Sequence, residues 1–123
     1  MDSPGTPLAR LERARRVRVN VNVGLHTETN FFVGTSLNLS EGGLFVATAT
    51  AVPVGTEVEL QFTLPCGSQV ALHGVVRWRR TPDDRRPMLT AGLGIQFVEI
   101  SPEILAAVRS FVGQREPLVH GEE

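Results

Sequence analysis

Alternation of apolar and polar residues with a period of two runs through much of the chain and predicts β-strands. The clearest early example is residues 16–23, where four valines alternate with arginine and asparagine. The same period recurs at residues 57–64 and again at residues 70–79. Because successive side chains of a strand point to opposite faces, each segment would bury one face. In the third segment the buried face would carry Val70, Leu72, Gly74, Val76 and Trp78.

Three further apolar segments complete the predicted strands. Residues 31–39 and 93–98 are rich in apolar residues, and residues 44–47 form a short apolar run directly after a dense turn signal. Glycine, proline, asparagine and serine mark the turns between strands. One of these turns is predicted to contain His26. Six strands of this length, joined by tight turns, favour an all-β antiparallel barrel or closed sandwich.

Helical spacing replaces the strand period near the end of the sequence. Ser101 can cap a helix and Pro102 suits its first position. Apolar residues then recur at helical spacing: Ile104, Leu105, Val108, Phe111 and Val112. This amphipathic helix would act as a plug or lid on the barrel. We therefore expect a flexible arm at residues 1–12, one barrel-plus-helix domain at residues 13–113, and a flexible tail at residues 114–123.

Composition limits the class of protein. The chain has 123 residues, of which 41% are hydrophobic and 20% charged, as expected for one compact domain with a core. No apolar run approaches the roughly 20 residues of a membrane span, and no basic-then-apolar leader is apparent. We expect a cytoplasmic protein without membrane insertion. The single cysteine, Cys66, rules out a disulfide framework and a multi-cysteine zinc site.

The residues that carry catalysis or metal binding in other proteins are scattered here. His26, His73 and His120 lie far apart in sequence, and Cys66 lies in a predicted turn. None is accompanied by the partners that a nucleophile or a metal ion requires. The segment Gly92-Leu93-Gly94 lacks the rest of a dinucleotide fingerprint and precedes a strand. We predict that the protein is not an enzyme and uses no cofactor or metal.

Charge is nearly balanced over the whole chain but unevenly distributed. The net charge is −1, which does not favour binding to DNA, and all 12 basic residues are arginine. Five arginines fall within residues 10–18, before or at the start of the first strand, and five more within residues 77–86. The early group could lie close to the turn Asn38-Leu39-Ser40-Glu41-Gly42-Gly43.

An arginine arm beside this turn would suit an anionic ligand that carries guanine. The planar fork of arginine matches the O6 and N7 acceptors of guanine and also binds phosphate. Asn38 and Ser40 would hydrogen-bond the edge of the base, and Gly43 would permit a tight turn and close approach. The predicted ligand-binding residues are Arg15, Arg16, Arg18, Asn38, Ser40, Gly42 and Gly43.

The segment Asn38-x-Ser40-x-x-Gly43 matches the [D/N]-x-S-x-x-G signature of PilZ domains, which are bacterial receptors for cyclic di-GMP. Similarity to that family extends over about residues 13–113: an arginine-rich start, a valine-rich strand, Gly74-Val75-Val76-Arg77-Trp78, and Gly92-Leu93-Gly94-Ile95-Gln96-Phe97. The resemblance implies a six-stranded antiparallel barrel with a C-terminal helix. It also implies that the arginines and the signature turn (Asn38–Gly43) form a dinucleotide site.

The arginine arm departs from the family pattern R-x-x-x-R. If Arg15, Arg16 or Arg18 is taken as the second arginine, the first position is Leu11, Glu12 or Ala14. Three functions therefore stay open. The first is a cyclic di-GMP receptor in bacterial signalling, controlling motility, biofilm formation or surface behaviour. The second is a ligand-independent adaptor that binds proteins of a motility or chemosensory assembly. The third, least favoured by the charge, is a barrel that binds single-stranded nucleic acid.

Aromatic residues are expected to serve mainly in the core. We predict core positions for Phe45, Phe62, Trp78 and Phe97. Phe31 and Phe32 are adjacent in a strand, which sends their side chains to opposite faces. One of the two would therefore be exposed and open to a protein partner.

Overall fold

The computed structural model describes residues 16–115, which form six strands followed by one helix. The elements are β1 (Arg16–His26), β2 (Phe31–Ser40), β3 (Gly43–Ala47), β4 (Glu57–Thr63), β5 (Gln69–Arg80), β6 (Gly92–Val98) and α1 (Pro102–Gly113). Every strand and the helix predicted from the sequence is confirmed, with bounds that differ by a few residues. The predicted arm and nearly all of the predicted tail lie outside the described residues, as do Arg15 and His120.

The strands form a closed antiparallel barrel with the order β1-β2-β3-β6-β5-β4. Closure occurs between β1 and β4, where Val23–His26 pair with Phe62–Glu59. Of the paired strands, β3 and β6 are the farthest apart in sequence, with Leu44 opposite Ile95. The barrel therefore has an inner face, which holds the core, and an outer face on which ligands or partners can bind. The predicted fold class is confirmed.

The core follows the two-residue period of the strands. β4 shows it most simply: Val58, Leu60 and Phe62 are buried, and the residues between them are exposed. On β1, Val17, Val19, Val23 and Leu25 are buried in the same cluster. Phe62 and Phe97 belong to this cluster, as predicted from the sequence. Burial of such aliphatic and aromatic side chains stabilises the barrel by about 1.5–3 kcal/mol each relative to exposure.

Helix α1 completes the core. The Ser101 hydroxyl accepts a hydrogen bond from the Ile104 amide at 3.2 Å, and Pro102 occupies the first turn, which fixes where the helix begins. Val108, Phe111 and Val112 are buried and belong to the barrel core, so the helix covers it as the sequence predicts. Within residues 16–115, no helix combines the length and apolar character needed to cross a bilayer.

The hairpin between β1 and β2 corrects one prediction and confirms another. His26 is the last residue of β1, not part of a turn, and its ring lies 4.4 Å from that of Phe31. Strand pairing extends to His26 because it sits opposite Phe31 and Glu59 at the same time. As predicted, the adjacent phenylalanines face opposite ways: Phe31 is 56% exposed, whereas Phe32 packs against the core.

Candidate functional site

Two rows of side chains cross five neighbouring strands on the outer face of the barrel. In each row, every residue lies opposite the next one on the neighbouring strand. The first row consists of Arg18, Asn38, Phe45, Gly94 and Trp78. The second row consists of Arg16, Ser40, Gly43, Gln96 and Val75. Adjacent strands lie about 4.8 Å apart, so each row spans about 19 Å along the curved sheet. Five of the seven predicted ligand-binding residues (Arg16, Arg18, Asn38, Ser40 and Gly43) thus lie together in these two rows.

Arg16 contacts the signature turn directly. Its guanidinium Nη1 donates a hydrogen bond to Oδ1 of Asn38, diagonally across from its own partner Ser40. Asn38 is only 3% exposed, so its amide oxygen needs such a donor. The structure therefore brings the end of the arginine arm and the turn together. Arg15, also predicted at the site, precedes the described residues.

A shift in strand register aims Asn38 outward. Ser36 pairs with Val46, a core residue, whereas Asn38 pairs with Phe45, and the register shifts between Ser36 and Asn38. Without this shift, Ser36 and Asn38 would face the same side of the sheet, because they are two residues apart in one strand. Ser36 is fully buried and its hydroxyl donates to the carbonyl of Asn38 at 3.2 Å. The irregularity places the amide of Asn38 on the outer face, beside Arg16.

The signature turn is held by its own hydrogen bonds. The Ser40 hydroxyl, which is fully buried, accepts from the Gly42 amide at 3.2 Å and donates to the Gly43 carbonyl at 3.3 Å. The Phe97 amide donates to the Gly42 carbonyl at 2.9 Å, which ties the turn to β6. The hydroxyl hydrogen of Ser40 is committed within the turn, so a ligand contact at this oxygen would have to donate to its second lone pair.

The two glycines of the turn have no unusual backbone conformation. Positive φ angles among the described residues occur at Gly55, Gly67 and Glu99. The tight turn that Gly43 is expected to permit therefore forms without a left-handed residue, and Gly43 itself lies in β3, buried. Close approach of a ligand to Gly42 and Gly43 stays a prediction.

An aromatic platform at the other end of the first row was not predicted from the sequence. The rings of Phe45 and Trp78 stack with centroids 5.5 Å apart and an angle of 20° between their planes. The guanidinium of Arg80 lies over both rings, 6.0 Å from the centroid of Phe45 and 5.6 Å from that of Trp78. We call Phe45, Trp78 and Arg80 the aromatic platform.

The core position predicted for Trp78 is wrong, since its side chain is only half-buried, whereas Phe45 is buried as predicted, outside the main core cluster. Phe45 is buried but lies between Leu44 and Val46, which both face the core, so its own ring points to the outer face. A register shift between Val76 and Trp78 turns Trp78 outward as well, opposite Gly94. A bulge of this kind re-aims every later side chain of its strand.

Glycines make room for the platform. A Cβ on Gly94 would overlap the indole of Trp78, and one on Gly92 would come within 2.9 Å of Cε1 of Phe45. Two glycines spaced by one residue in a strand leave a bare strip on a single face, which large side chains from neighbouring strands can cover. This spacing was the sequence signal from which the platform could have been found.

Arginines flank the rows on both sides. Arg16 and Arg18 lie on β1, whereas Arg77 and Arg80 come from β5. Arg77 Nε donates to Gln96 Oε1 at 2.7 Å, which places its guanidinium beside the second row. Arg80 also donates to the Thr90 carbonyl at 3.2 Å, so the loop after β5 is attached to the platform. The two rows and their flanks thus combine arginine guanidinium groups, the buried amide of Asn38 and hydroxyl of Ser40, and the half-buried indole of Trp78.

Comparison with known families decides what this barrel is. The sequence model of the family described as "PilZ domain" matches residues 10–114. The chain belongs to the PilZ family. It is therefore a regulatory binding domain, in agreement with the resemblance that its signature turn implied.

Solved structures show the same fold in other PilZ proteins. The Bacillus subtilis inhibitor of motility MotI/DgrA is 20% identical with a TM-score of 0.72, and the match covers 83% of this chain and 49% of that protein. The PilZ domain of Escherichia coli YcgR, solved with c-di-GMP, is 14% identical with a TM-score of 0.66, covering 84% and 89%. The PilZ domain of CeSA from a cellulose-synthesising bacterium is 16% identical with a TM-score of 0.60, covering 82% and 97%.

The match spans only about half the length of MotI/DgrA, so similarity to that protein concerns the PilZ domain alone. Comparison with curated protein sequences gives no match. At these identities the structural neighbours establish the fold, whereas the binding residues of this PilZ domain have to be argued from its own geometry.

Among residues 16–115, His26, His73 and Cys66 belong to neither of the two rows. His73 Nε2 is 3.7 Å from a carboxylate oxygen of Glu59 on the exposed surface of β4 and β5. Cys66 is fully exposed, and hydrogen bonds from Ser68, from its backbone first and then its side chain, lower the pKa of the thiol. Within residues 16–115, no three side chains of the metal-binding types come together.

Proposed function

We propose that this PilZ domain binds cyclic di-GMP across the two rows and that binding regulates a protein of a bacterial motility or signalling system. The observation that carries the proposal is the hydrogen bond from Arg16 to Asn38, which joins the arginine arm to the signature turn. Two structural neighbours, YcgR and the Borreliella burgdorferi protein PlzA, were solved with c-di-GMP. The two rows of this domain carry groups that could bind the same ligand.

Each part of the ligand has a counterpart on the surface. The two phosphates would pair with Arg16 and Arg18, since guanidinium groups bind phosphate oxygens in a bidentate fashion. One guanine would accept hydrogen bonds from an arginine fork and donate to Asn38 or Ser40. A base could also stack on the aromatic platform beside Trp78, where Arg80 already lies over the rings. We expect the complex to form in the cytoplasm.

The missing R-x-x-x-R pair affects how tightly the ligand would bind. Loss of one charge-assisted contact costs about 1.5–3 kcal/mol, which corresponds to roughly ten- to a hundredfold in affinity. Arg77 and Arg80 supply positive charge from the β5 side of the rows, opposite Arg16 and Arg18 on β1. We therefore expect binding that is weaker than in a complete site but specific for guanine.

Titration calorimetry of the full chain with cyclic di-GMP tests the proposal. We expect saturable binding to cyclic di-GMP and none to cyclic di-AMP, because adenine lacks the O6 acceptor. Arg16→Ala should weaken binding by roughly ten- to a hundredfold. Arg85→Ala, which removes the same charge from an exposed side chain of the loop after β5, is the matched control and should bind as the wild type does.

Three results would contradict the proposal. One is the absence of binding to cyclic di-GMP by the folded wild-type chain. Another is Arg16→Ala binding with unchanged affinity, which would move the site elsewhere. The last is equal binding to a random single-stranded oligonucleotide with a steep dependence on salt, which would indicate nucleic-acid binding instead.

A ligand-independent adaptor is the second candidate, and the outer end of β2 favours it. Phe31 is 56% exposed and Val33 is 58% exposed on the same strand face. Two exposed apolar side chains on one face of a strand would give a protein partner an apolar surface to pack against. If the domain is an adaptor, Phe31→Ser should prevent its co-elution with a motility or chemosensory protein in size-exclusion chromatography. Arg16→Ala should leave that complex intact.

A further inference from the structure

An ion pair connects helix α1 to the signature turn. Glu41 is the first residue after β2, within the turn, and its Oε1 accepts a hydrogen bond from Nε of Arg109 at 2.9 Å. The two residues are 68 positions apart in sequence. Contact between them therefore reports that α1 is docked on the barrel beside the turn.

The position of Arg109 is fixed by the packing of its neighbours. Val108 is fully buried and Phe111 is 4% exposed, and both belong to the barrel core. Arg109 itself lies on the exposed side of the helix, with 61% of its side chain accessible, while the Glu41 side chain is 42% exposed. Undocking of α1 would therefore remove the guanidinium from Glu41, although neither group is buried.

Glu41 presents an electrostatic problem for an anionic ligand. It directly follows Ser40, whose partner on β1 is Arg16, so a carboxylate lies one residue from the position where Arg16 would hold a phosphate of the ligand. Like charges at short range repel, and the repulsion is reduced when a cation pairs with one of them. Arg109 supplies that cation, from an element outside the two rows.

We propose that Arg109 is a positioning residue for the cyclic di-GMP site. Through its ion pair it holds Glu41 and offsets the negative charge, so the affinity for the ligand depends on docked α1. This inference rests on the proposed function. Coupling between sites is reciprocal, so bound ligand in turn stabilises α1 in its docked position.

Calorimetry with three variants of the full chain tests the charge offset. Arg109→Gln should weaken binding of cyclic di-GMP by about two- to fivefold, the range expected when a partly exposed ion pair is removed. Glu41→Gln should bind at least as tightly as the wild type, and the double variant should return to within about twofold of it. The loss in Arg109→Gln should shrink at high salt, about 0.5 M, because screening weakens the repulsion from Glu41.

Two binding results would overturn the inference. Unchanged affinity in Arg109→Gln would show that the negative charge of Glu41 does not need to be offset for the ligand to bind. A loss that Glu41→Gln does not relieve would show that Arg109 acts on the ligand itself. Arg85→Gln, with the same charge change in the loop after β5, controls for net charge.

Hydrogen exchange without ligand separates this inference from the proposed function. The amides of Gly42 and Phe97 are hydrogen-bonded in and beside the turn, to Ser40 Oγ and the Gly42 carbonyl respectively. In Arg109→Gln we expect both amides to exchange faster, and in Arg85→Gln to exchange as in the wild type. If the wild type fails to bind cyclic di-GMP, the proposed function falls, while faster exchange still supports coupling of α1 to the turn. Unchanged exchange at both amides overturns that coupling.

Discussion

The indole of Trp78 lies directly over Gly94, on the outer face of β6, where any side chain on residue 94 would overlap the ring. Cδ1 of the indole would be 2.7 Å from a Cβ at that position. Trp78 is the single tryptophan of the chain, so tryptophan fluorescence reports on the surroundings of this one ring. The aromatic platform thus depends on the absence of one methyl group.

Gly94→Ala should displace the indole and destabilise the barrel. Forcing a methyl group into an occupied space costs about 1–3 kcal/mol, measured as a lower urea midpoint, and the tryptophan emission should shift towards that of an exposed indole. Gly113→Ala is the matched control, because a Cβ there meets nothing within 4 Å. A Gly94→Ala variant with wild-type stability and emission would contradict the packing described above.

Ser40→Ala should loosen the signature turn while the barrel stays folded. The substitution removes the acceptor of the Gly42 amide and the donor to the Gly43 carbonyl, which costs about 1–3 kcal/mol. Chemical denaturation gives the loss of stability, and calorimetry should show that binding of cyclic di-GMP is lost. Thr63→Ala, at an exposed position of β4, is a control that should change neither quantity. Ser40→Ala with undiminished affinity would remove the turn from the ligand site.

Trp78→Ala should weaken binding of cyclic di-GMP if a base stacks on the aromatic platform. Stacking on an aromatic side chain contributes about 1–3 kcal/mol per base, so affinity should fall by roughly five- to 150-fold in calorimetry. Trp78→Phe keeps an aromatic ring and should recover most of the loss. Equal affinities for the alanine and phenylalanine variants would show that the platform does not carry a base.

Cys66 should react with iodoacetamide at a lower pH than an ordinary thiol does. Hydrogen bonds from the backbone and then the side chain of Ser68 lower the pKa of Cys66, so more thiolate is present at a given pH. Ser68→Ala should raise the midpoint of the rate–pH profile part of the way, because the backbone contribution remains. Ser110→Ala on α1 should leave the midpoint unchanged. A Ser68→Ala profile identical to the wild type would show that the hydroxyl makes no contribution.

Strand alternation and helix capping made most of the fold predictable. Val17 to Val23 and Val58 to Leu64 indicate strands because burial on one face imposes the two-residue period. Ser101 and Pro102 indicate where the helix begins because their chemistry suits a cap and a first turn. These signals are local, and the barrel confirms them.

The register shifts at Leu37 and Arg77 could not be predicted in the same way. Pairing between strands decides where an extra residue is accommodated, and neither Leu37 nor Arg77 differs in type from an ordinary strand residue. Trp78 therefore seemed to continue the buried face of Val70 to Val76, and the aromatic platform was missed. The signature turn was found because its residues are chemically distinctive, whereas the contact of Arg109 with Glu41 joins parts of the chain that no short motif connects.

The step from β3 to β6 has a consequence during synthesis of the protein. β3 ends at Ala47, yet the strand that pairs with its second side begins only at Gly92, so the ring stays open until β6 has left the ribosome. Until then, β3 and β5 each expose an unpaired backbone edge, the kind of surface that recruits other extended chains. Truncations that remove β6 and α1 should consequently accumulate as insoluble aggregates, and the intact domain should fold slowly for its size because its ring-closing contacts are so distant in sequence.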